Sequence, residues 1–349
     1  MAISNQGGHS AEERRRPTMR DVAAHAGVSL KTVSRVVNEE AGVSAKLIER
    51  VHASVTALRF QPHVGASNLR RLAGKTATIG LLLQDVANPF SAALHRSVEK
   101  VALAHDVLVF SASMDESQER EIELVQTLTA RRVDGLIIAP AGNDQQYLER
   151  ERQAGTAIVC VDRIAVNLDV DSVVVANLAG TIEGVRQLIE SGHRRIAYLG
   201  DRQHIFTASE RYRGYRQALK EHGLPLDPAI VVHDLHDADV ADDAITTLLT
   251  QPDPPTALFT AQNLITISAI KALRRLNRQT EVALVGFDDL ELADLIVPGI
   301  TVVAQDPTAI GHIAASVLFS RLTGDNSPPT VHVLPTILIR RGSGEIPPP

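Results

Sequence analysis

From Ala77 to Asp289 the chain repeats one pattern, a short apolar run followed by a longer polar-apolar stretch. The runs are "ATIGLLL", "VLVFSAS", "GLIIAP", "AIVCVD", "RIAYLG", "AIVVH", "TALFT" and "EVALVGFDD". Helices are expected between the first of them, near Phe90–His105 and Ser117–Arg131. A run that is apolar at every position, rather than at every second one, has both faces covered. That is the mark of a strand in a parallel sheet with helices on each side. The segment is long enough for two such sheets, and this alternation confines the fold to the α/β class.

The N-terminal part obeys a different rule. In "TMRDVAAHAGVSLKTVSRVVN" Thr18 is a good N-cap, and Asp21 completes a capping-box pattern. The first helix is expected to run to about His25, with Gly27 supplying the positive φ of a tight turn. Ser29 then caps a second helix that continues to about Asn38. On a helical wheel Val33, Val36 and Val37 fall on one arc and point inward. Leu30, Lys31, Ser34 and Arg35 fall on the opposite arc. Two short helices with an apolar inner stripe and a polar outer face make a helix-turn-helix. Its second helix enters the DNA major groove by its early residues. The candidate DNA contacts here are Ser29, Leu30, Lys31, Thr32, Ser34, Arg35 and Asn38. Ser44 is expected to cap a third helix carrying Leu47, Val51, Val55 and Leu58, stopped by Pro62.

Charge is divided the same way. The chain of 349 residues carries −6 overall, but Arg14 to Lys75 holds 12 Lys or Arg against 4 Asp or Glu, and the residues from 76 onward are strongly acidic. A basic head on an acidic body fits a protein that meets phosphate at one end. The single cysteine, Cys160, excludes an intrachain disulfide. The first residues, "MAISNQGGHS", lack the apolar core of a signal peptide. No apolar run reaches the roughly 18 residues of a membrane span. A cytoplasmic protein without a membrane partner is therefore expected.

The motifs "MRDVAAHAGVSLKTVSRVVN", "VSAKLIERV", "ALRFQPHVGASNLR" and "GKTATIGLLLQDVANPF" resemble the lac repressor family, and the resemblance continues to "RGS" near the C-terminus. It implies an N-terminal all-α helix-turn-helix domain joined to an α/β two-lobed domain like a periplasmic sugar-binding protein, with crossover strands between lobes. The expected organisation is an arm at 1–16, the helix-turn-helix at 17–61, a hinge helix or linker at 62–75, the effector-binding and dimerisation domain at 76–343, and a tail at 344–349. Residues near 163–288 are expected mostly in the lobe distal to DNA, and those near 290–325 in the other lobe. The resemblance also implies that His63, Ala66 and Leu69 of the linker touch DNA, Leu69 as a wedge in the minor groove. Gly65 stands where a better helix former is usual, and His63 where a small polar residue is usual.

In open α/β sheets ligands bind beyond the C-terminal ends of strands. Phe90, Asp162, Arg211, Gln262, Asn263 and Asp288 all follow such ends, and Thr207 lies one helical turn before Arg211. An Arg and two carboxylates suit a polyhydroxylated ligand through charge-assisted hydrogen bonds. The effector candidates are Phe90, Asp162, Thr207, Arg211, Gln262 and Asp288. By the resemblance, Leu235 stands near a position where an aromatic often stacks on the ligand, and "AQN" replaces the more usual Asn-Asp pair.

The rival reading is a sugar-binding or sugar-processing α/β protein with an incidental basic module. Against an enzyme, there is no dinucleotide fingerprint, no Walker A loop and no nucleophile elbow. Cys160 lies inside an apolar strand, and His193 reads as a structural turn residue. The 13 histidines show no metal-ligand spacing. No metal or cofactor is expected. The sequence reads as a ligand-responsive repressor that binds double-stranded operator DNA as a homodimer, with a carbohydrate as small-molecule effector. The C-terminal "RRGSGEIPPP" has no leucine heptads, which favours a dimer over a tetramer.

Overall fold

The computed structural model describes residues 17–38, 40–60 and 76–349. The chain divides into two compact units, Met1–Thr76 and Ala77–Pro349. The expected arm and linker, with His63, Gly65, Ala66 and Leu69, lie outside the described residues.

The first unit holds helices α1 (Met19–Ala26), α2 (Leu30–Val37) and α3 (Ala45–Ala57). Thr18 and Asp21 form the reciprocal capping box, each side chain accepting from the other's backbone N–H. Gly27 closes α1 at φ 59°, and the Val28 N–H reaches back to the Ala23 carbonyl at 3.0 Å. Ser29 caps α2 by accepting from the Thr32 N–H at 3.1 Å. Val22, Val33, Val36, Val51 and Phe60 form the core, with Val37 partly buried against it.

Two details of α3 differ from the sequence reading. Ser44 occupies the N-cap position without a side-chain cap bond. The helix also ends at Ala57, well before Pro62. Arg59 turns left-handed at φ 49°, and the Phe60 N–H bonds the Val55 carbonyl at 2.9 Å. This is a Schellman stop, driven by returning Phe60 to the core.

The second unit contains two six-stranded sheets. Its strands are β1 (Thr78–Leu83), β2 (Leu108–Ser113), β3 (Gly135–Ile138), β4 (Ala157–Val161), β5 (Asp171–Val175), β6 (Ile196–Leu199), β7 (Val231–Val232), β8 (Ala257–Thr260), β9 (Ala283–Phe287), β10 (Thr301–Ala304), β11 (Val331–Leu334) and β12 (Ile337–Ile339). The first lobe has the order β11-β5-β4-β3-β1-β2 and is wholly parallel. The second has the order β12-β10-β9-β8-β6-β7, with only β12 antiparallel to its neighbour. Helices α4 (Pro89–Ala104), α5 (Gln118–Ala130), α6 (Glu149–Gln153), α7 (Asn177–Glu190), α8 (Phe206–Glu221), α9 (Ala238–Thr250), α10 (Asn263–Arg275) and α11 (Pro307–Leu322) complete it.

The chain crosses between lobes three times, after β5, after β10 and between β11 and β12. The expected lobe boundaries near 163 and 290 are therefore corrected. β5 still belongs to the first sheet, pairing with β4 through Cys160↔Ser172. No helix separates β4 from β5, so the alternation that reveals the other strands is silent there. β10 stays in the second sheet, and the return begins only with α11, which packs on α4 and β4. The run "AIVVH" contributes only the two residues of β7, because Pro228–Ile230 form a 3₁₀ turn.

The residues expected as a tail from 344 are stitched to the second lobe. Ser343 donates to the Leu284 carbonyl at 2.6 Å, and Gly344 is buried. His193, fully buried, places Nε2 2.7 Å from the Ile346 carbonyl and Nδ1 2.9 Å from the Thr256 hydroxyl. A carbonyl can only accept, so Nε2 carries the proton.

Burial holds His193 below the ordinary imidazole range. In the unfolded chain it protonates first as pH falls, so the fold loses stability below about pH 6.5. Urea midpoints are expected to fall from pH 7 to pH 5, and to fall less steeply in His193→Gln.

Candidate functional site

The first unit presents the outer face of α2. Ser29, Leu30 and Lys31 are exposed, and Thr32, Ser34, Arg35 and Asn38 are partly so. Ser29 and Thr32 hydroxyls lie 2.9 Å apart, and Asn38 Nδ2 donates to Ser34 Oγ at 3.3 Å. Arg35 folds back on the following loop, donating to the Ala41 carbonyl and standing 3.7 Å from Glu40. Lys31 and Arg35 share a surface hollow with Arg20 from the first turn of α1. Arg20 was not singled out in the sequence, although its place beside the N-cap Thr18 and opposite the α2 outer face is a local signal.

In the second unit the strand ends converge. Phe90, Asp162, Thr207, Arg211, Gln262 and Asp288 all line one cleft of about 470 Å³ between the lobes. Two equivalent turns place the carboxylates. Asp162 ends β4 at φ 64° and donates its N–H to Val173 of β5 at 2.9 Å; Asp288 ends β9 at φ 73° and donates its N–H to Val303 of β10 at 2.9 Å. Asp tolerates this left-handed backbone better than most residues. Each lobe thus turns one Asp inward at the same point of its sheet.

Arg211 stands between them on α8, one turn after Thr207. Gly214 brings α8 close to α7, since a Cβ there would lie 2.6 Å from the Leu178 carbonyl. Arg211 is 5% exposed. Its Nε donates to Asn177 Oδ1 at 2.8 Å and its Nη1 to the Ala261 carbonyl at 2.7 Å. The guanidinium lies 3.8 Å over the Phe287 ring, and Nη1 is 3.8 Å from Asp288 Oδ2. Asp288 Oδ1 accepts from Gln305 Nε2 at 2.5 Å.

Asp162 differs from Asp288. Its nearest cation is Arg163 Nε at 3.6 Å, beyond hydrogen-bond reach. Burial pushes its carboxyl above the usual range, while Arg163 and Arg211 pull it back.

Several lining residues escaped the sequence reading. Glu116 binds Arg163 in a bidentate pair with both side chains 7% exposed, and Arg163 also donates to the Pro140 carbonyl at 2.8 Å. Asn88, the cap of α4, and Asn263, which opens α10, exchange amide hydrogen bonds of 2.8 and 3.3 Å across the lobes. Asp201 accepts from Gln262 Nε2 at 3.2 Å. Asp201 follows β6, so the strand-end rule could have found it; Glu116 and Asn88 carry no such local mark. Leu235 is buried in the second-lobe core, and the aromatic in the cleft is Phe90. Among the described residues no group of three His, Cys, Asp or Glu could hold a metal ion. The buried Cys160 thiol is pushed up by desolvation.

Comparison with known proteins decides the family. Residues 18–63 match the model of bacterial regulatory proteins, lacI family, and residues 185–344 that of a periplasmic binding protein-like domain. The ribose operon repressor of Escherichia coli (strain K12) is 31% identical over 93% of this chain and 99% of that protein. The chain belongs to the lacI family of bacterial regulatory proteins. As a lacI-family member it is a DNA-binding transcriptional regulator. Its fold matches a crystal structure of the lac repressor dimer bound to operator and the anti-inducer ONPF, with TM-score 0.80 and 26% identity over 95% of this chain and 99% of that one. It also matches a complex of the transcriptional regulator CelR with cellobiose, with TM-score 0.69 and 30% identity over 94% of this chain and 100% of that one. No helix among the described residues is long and apolar enough to cross a membrane.

Proposed function

We propose that this lacI-family chain is a repressor whose affinity for operator DNA is set by a carbohydrate held between its lobes. The observation that carries this is the pair of equivalent strand ends, Asp162 and Asp288, facing one cleft with Arg211. Carboxylates accept from sugar hydroxyls, and Arg211 and Gln262 donate to them. The names of two relatives, one for a ribose operon and one bound to cellobiose, support a sugar. In this reading the chain acts in the cytoplasm as a switch that binds and releases its ligand, as its relatives named as transcriptional regulators support. A ligand shifts the DNA-competent population only by its differential affinity for the two lobe arrangements.

Titration with sugars tests the ligand reading. Asp162→Asn keeps the shape but replaces a carboxylate oxygen with an amide NH2 that cannot accept, and is expected to lose about 1.5–3 kcal/mol of sugar affinity, roughly one to two orders of magnitude. Undiminished affinity in calorimetry would place the site elsewhere.

For DNA reading, Lys31 and Arg35 carry the donors of the α2 face, with Arg35 leaving the Ala41 carbonyl to reach a base. Arg35→Ala is expected to lose about 1–3 kcal/mol of operator affinity and to relax one base position. A binding-site selection that returns the wild-type preference would refute this.

The homodimer is supported by apolar side chains that the unit leaves exposed. Leu108 and Phe110 lie on the edge strand β2, and Leu295 and Val297 on the loop after β9, with Val297 79% exposed. Two copies would carry two heads to a near-palindromic operator. Leu108→Asp is expected to shift the chain toward monomer in sedimentation equilibrium; an unchanged dimer would move the interface off β2.

A further inference from the structure

A second cavity lies beside the cleft. It measures about 820 Å³ and shares Arg163 and Ile205 with the first. The loops after β3 and β4 wall it on the first-lobe side, and the start of α8 walls it on the other. One side chain fixes the first-lobe wall. Gln145 is fully buried; its Oε1 accepts the Val166 N–H at 2.9 Å and its Nε2 donates to the Gly142 carbonyl at 2.9 Å. The Gln145 N–H donates in turn to the Val166 carbonyl at 2.9 Å. Three bonds from one residue hold both loops, so the compartment is formed before any ligand arrives.

Its chemistry differs from that of the first cleft. There four carboxylates and two arginines crowd together. Here Ile164, Val166 and Phe206 offer apolar and aromatic surface, and Val166 is 45% exposed despite its character. Asn143, Gln203, His204 and Ser209 offer donors and acceptors, and Glu210, paired with Arg213, is the one carboxylate in the lining. Arg163 is the only Arg or Lys in the lining, and it is already engaged by Glu116 and Pro140. A wall of this kind suits a ring with apolar C–H faces and a hydroxylated edge. It offers a phosphate no free Arg or Lys.

We propose that this compartment is a second sugar subsite, so that the effector is an oligosaccharide with neighbouring rings on either side of Arg163. The inference rests on the carbohydrate reading of the first cleft. Phe206 is the ring's platform in the second compartment, and the first cleft holds the other ring by its carboxylates. The cavity closes with the same lobe movement, because its walls also come from both lobes.

The test is calorimetry of the full-length chain with matched sugars: glucose with cellobiose and maltose, galactose with lactose, xylose with xylobiose, and mannose with mannobiose. At least one disaccharide is expected to bind about tenfold or more tightly than its own monosaccharide, the scale of one stacked ring. Phe206→Ala is expected to remove that gain while leaving the monosaccharide affinity as it was. A monosaccharide that binds as tightly as every disaccharide containing it overturns the second subsite and leaves the carbohydrate reading standing. Binding by none of these sugars overturns both.

Discussion

Glu116→Ala is expected to destabilise the second unit by about 3–5 kcal/mol, the usual loss when one member of a buried ion pair is removed. The substitution leaves the Arg163 guanidinium at 6% exposure with the Pro140 carbonyl as its remaining hydrogen-bond partner. The pair ties together three strand ends of the first lobe, because Glu116 follows β2, Pro140 follows β3 and Arg163 follows β4, with β1 lying between β2 and β3. Removing both charges together, as Glu116→Leu with Arg163→Met, is expected to lower stability less than Glu116→Ala alone, since no guanidinium is then buried without Glu116; Asp162 loses its nearest cation, so part of the loss remains. Urea unfolding of the three variants checks this. A single-variant loss no larger than that of an ordinary surface substitution would mean that the pair is solvated and does not brace the cleft.

Arg211→Ala is expected to act twice. It orphans the Asn177 amide oxygen and the Ala261 carbonyl, each a buried acceptor whose loss of partner costs about 1–3 kcal/mol. It also removes the cation beside Asp288, and with it about one to two orders of magnitude of sugar affinity. A lower urea midpoint and weaker sugar binding should therefore appear together. Arg211→Lys keeps the charge but not the planar fork, so it should recover only part of either loss. If Arg211→Ala weakens the fold yet leaves sugar affinity untouched, Arg211 is a brace for α7 and α8 and no ligand contact.

The difference between these two sites explains what could be read in the sequence. Arg211, Asp162 and Asp288 were legible because the strand-end rule needs only local pattern: an apolar run, then a polar residue. Their convergence follows from two sheets built on one plan. The helix-turn-helix was legible for a similar reason, since Thr18, Asp21, Gly27 and Ser29 act within a few residues of themselves. Glu116 was not, because its meaning comes from Arg163, far along the chain, and from burial that no local pattern records. The Asn88–Asn263 pair is hidden in the same way, as it joins helix starts from different lobes. β5 was missed because it follows β4 without a helix. The third helix was stopped by the wrong residue, Pro62, because a Schellman turn through Arg59 lacks the glycine that usually marks it.

The most direct measurement is operator affinity of the full-length chain, followed by fluorescence anisotropy with and without a sugar that binds the cleft. The DNA is a fragment recovered by selection from random sequence, and wild type is compared with Asp162→Asn. The expected result is a sugar-dependent change of about 5–150-fold in the wild-type Kd, the usual range of allosteric coupling. Asp162→Asn should bind the same fragment as tightly without sugar and shift little at the same sugar concentration. A full shift in that variant, or a wild-type Kd that no cleft-binding sugar changes, would contradict control of DNA binding from this cleft.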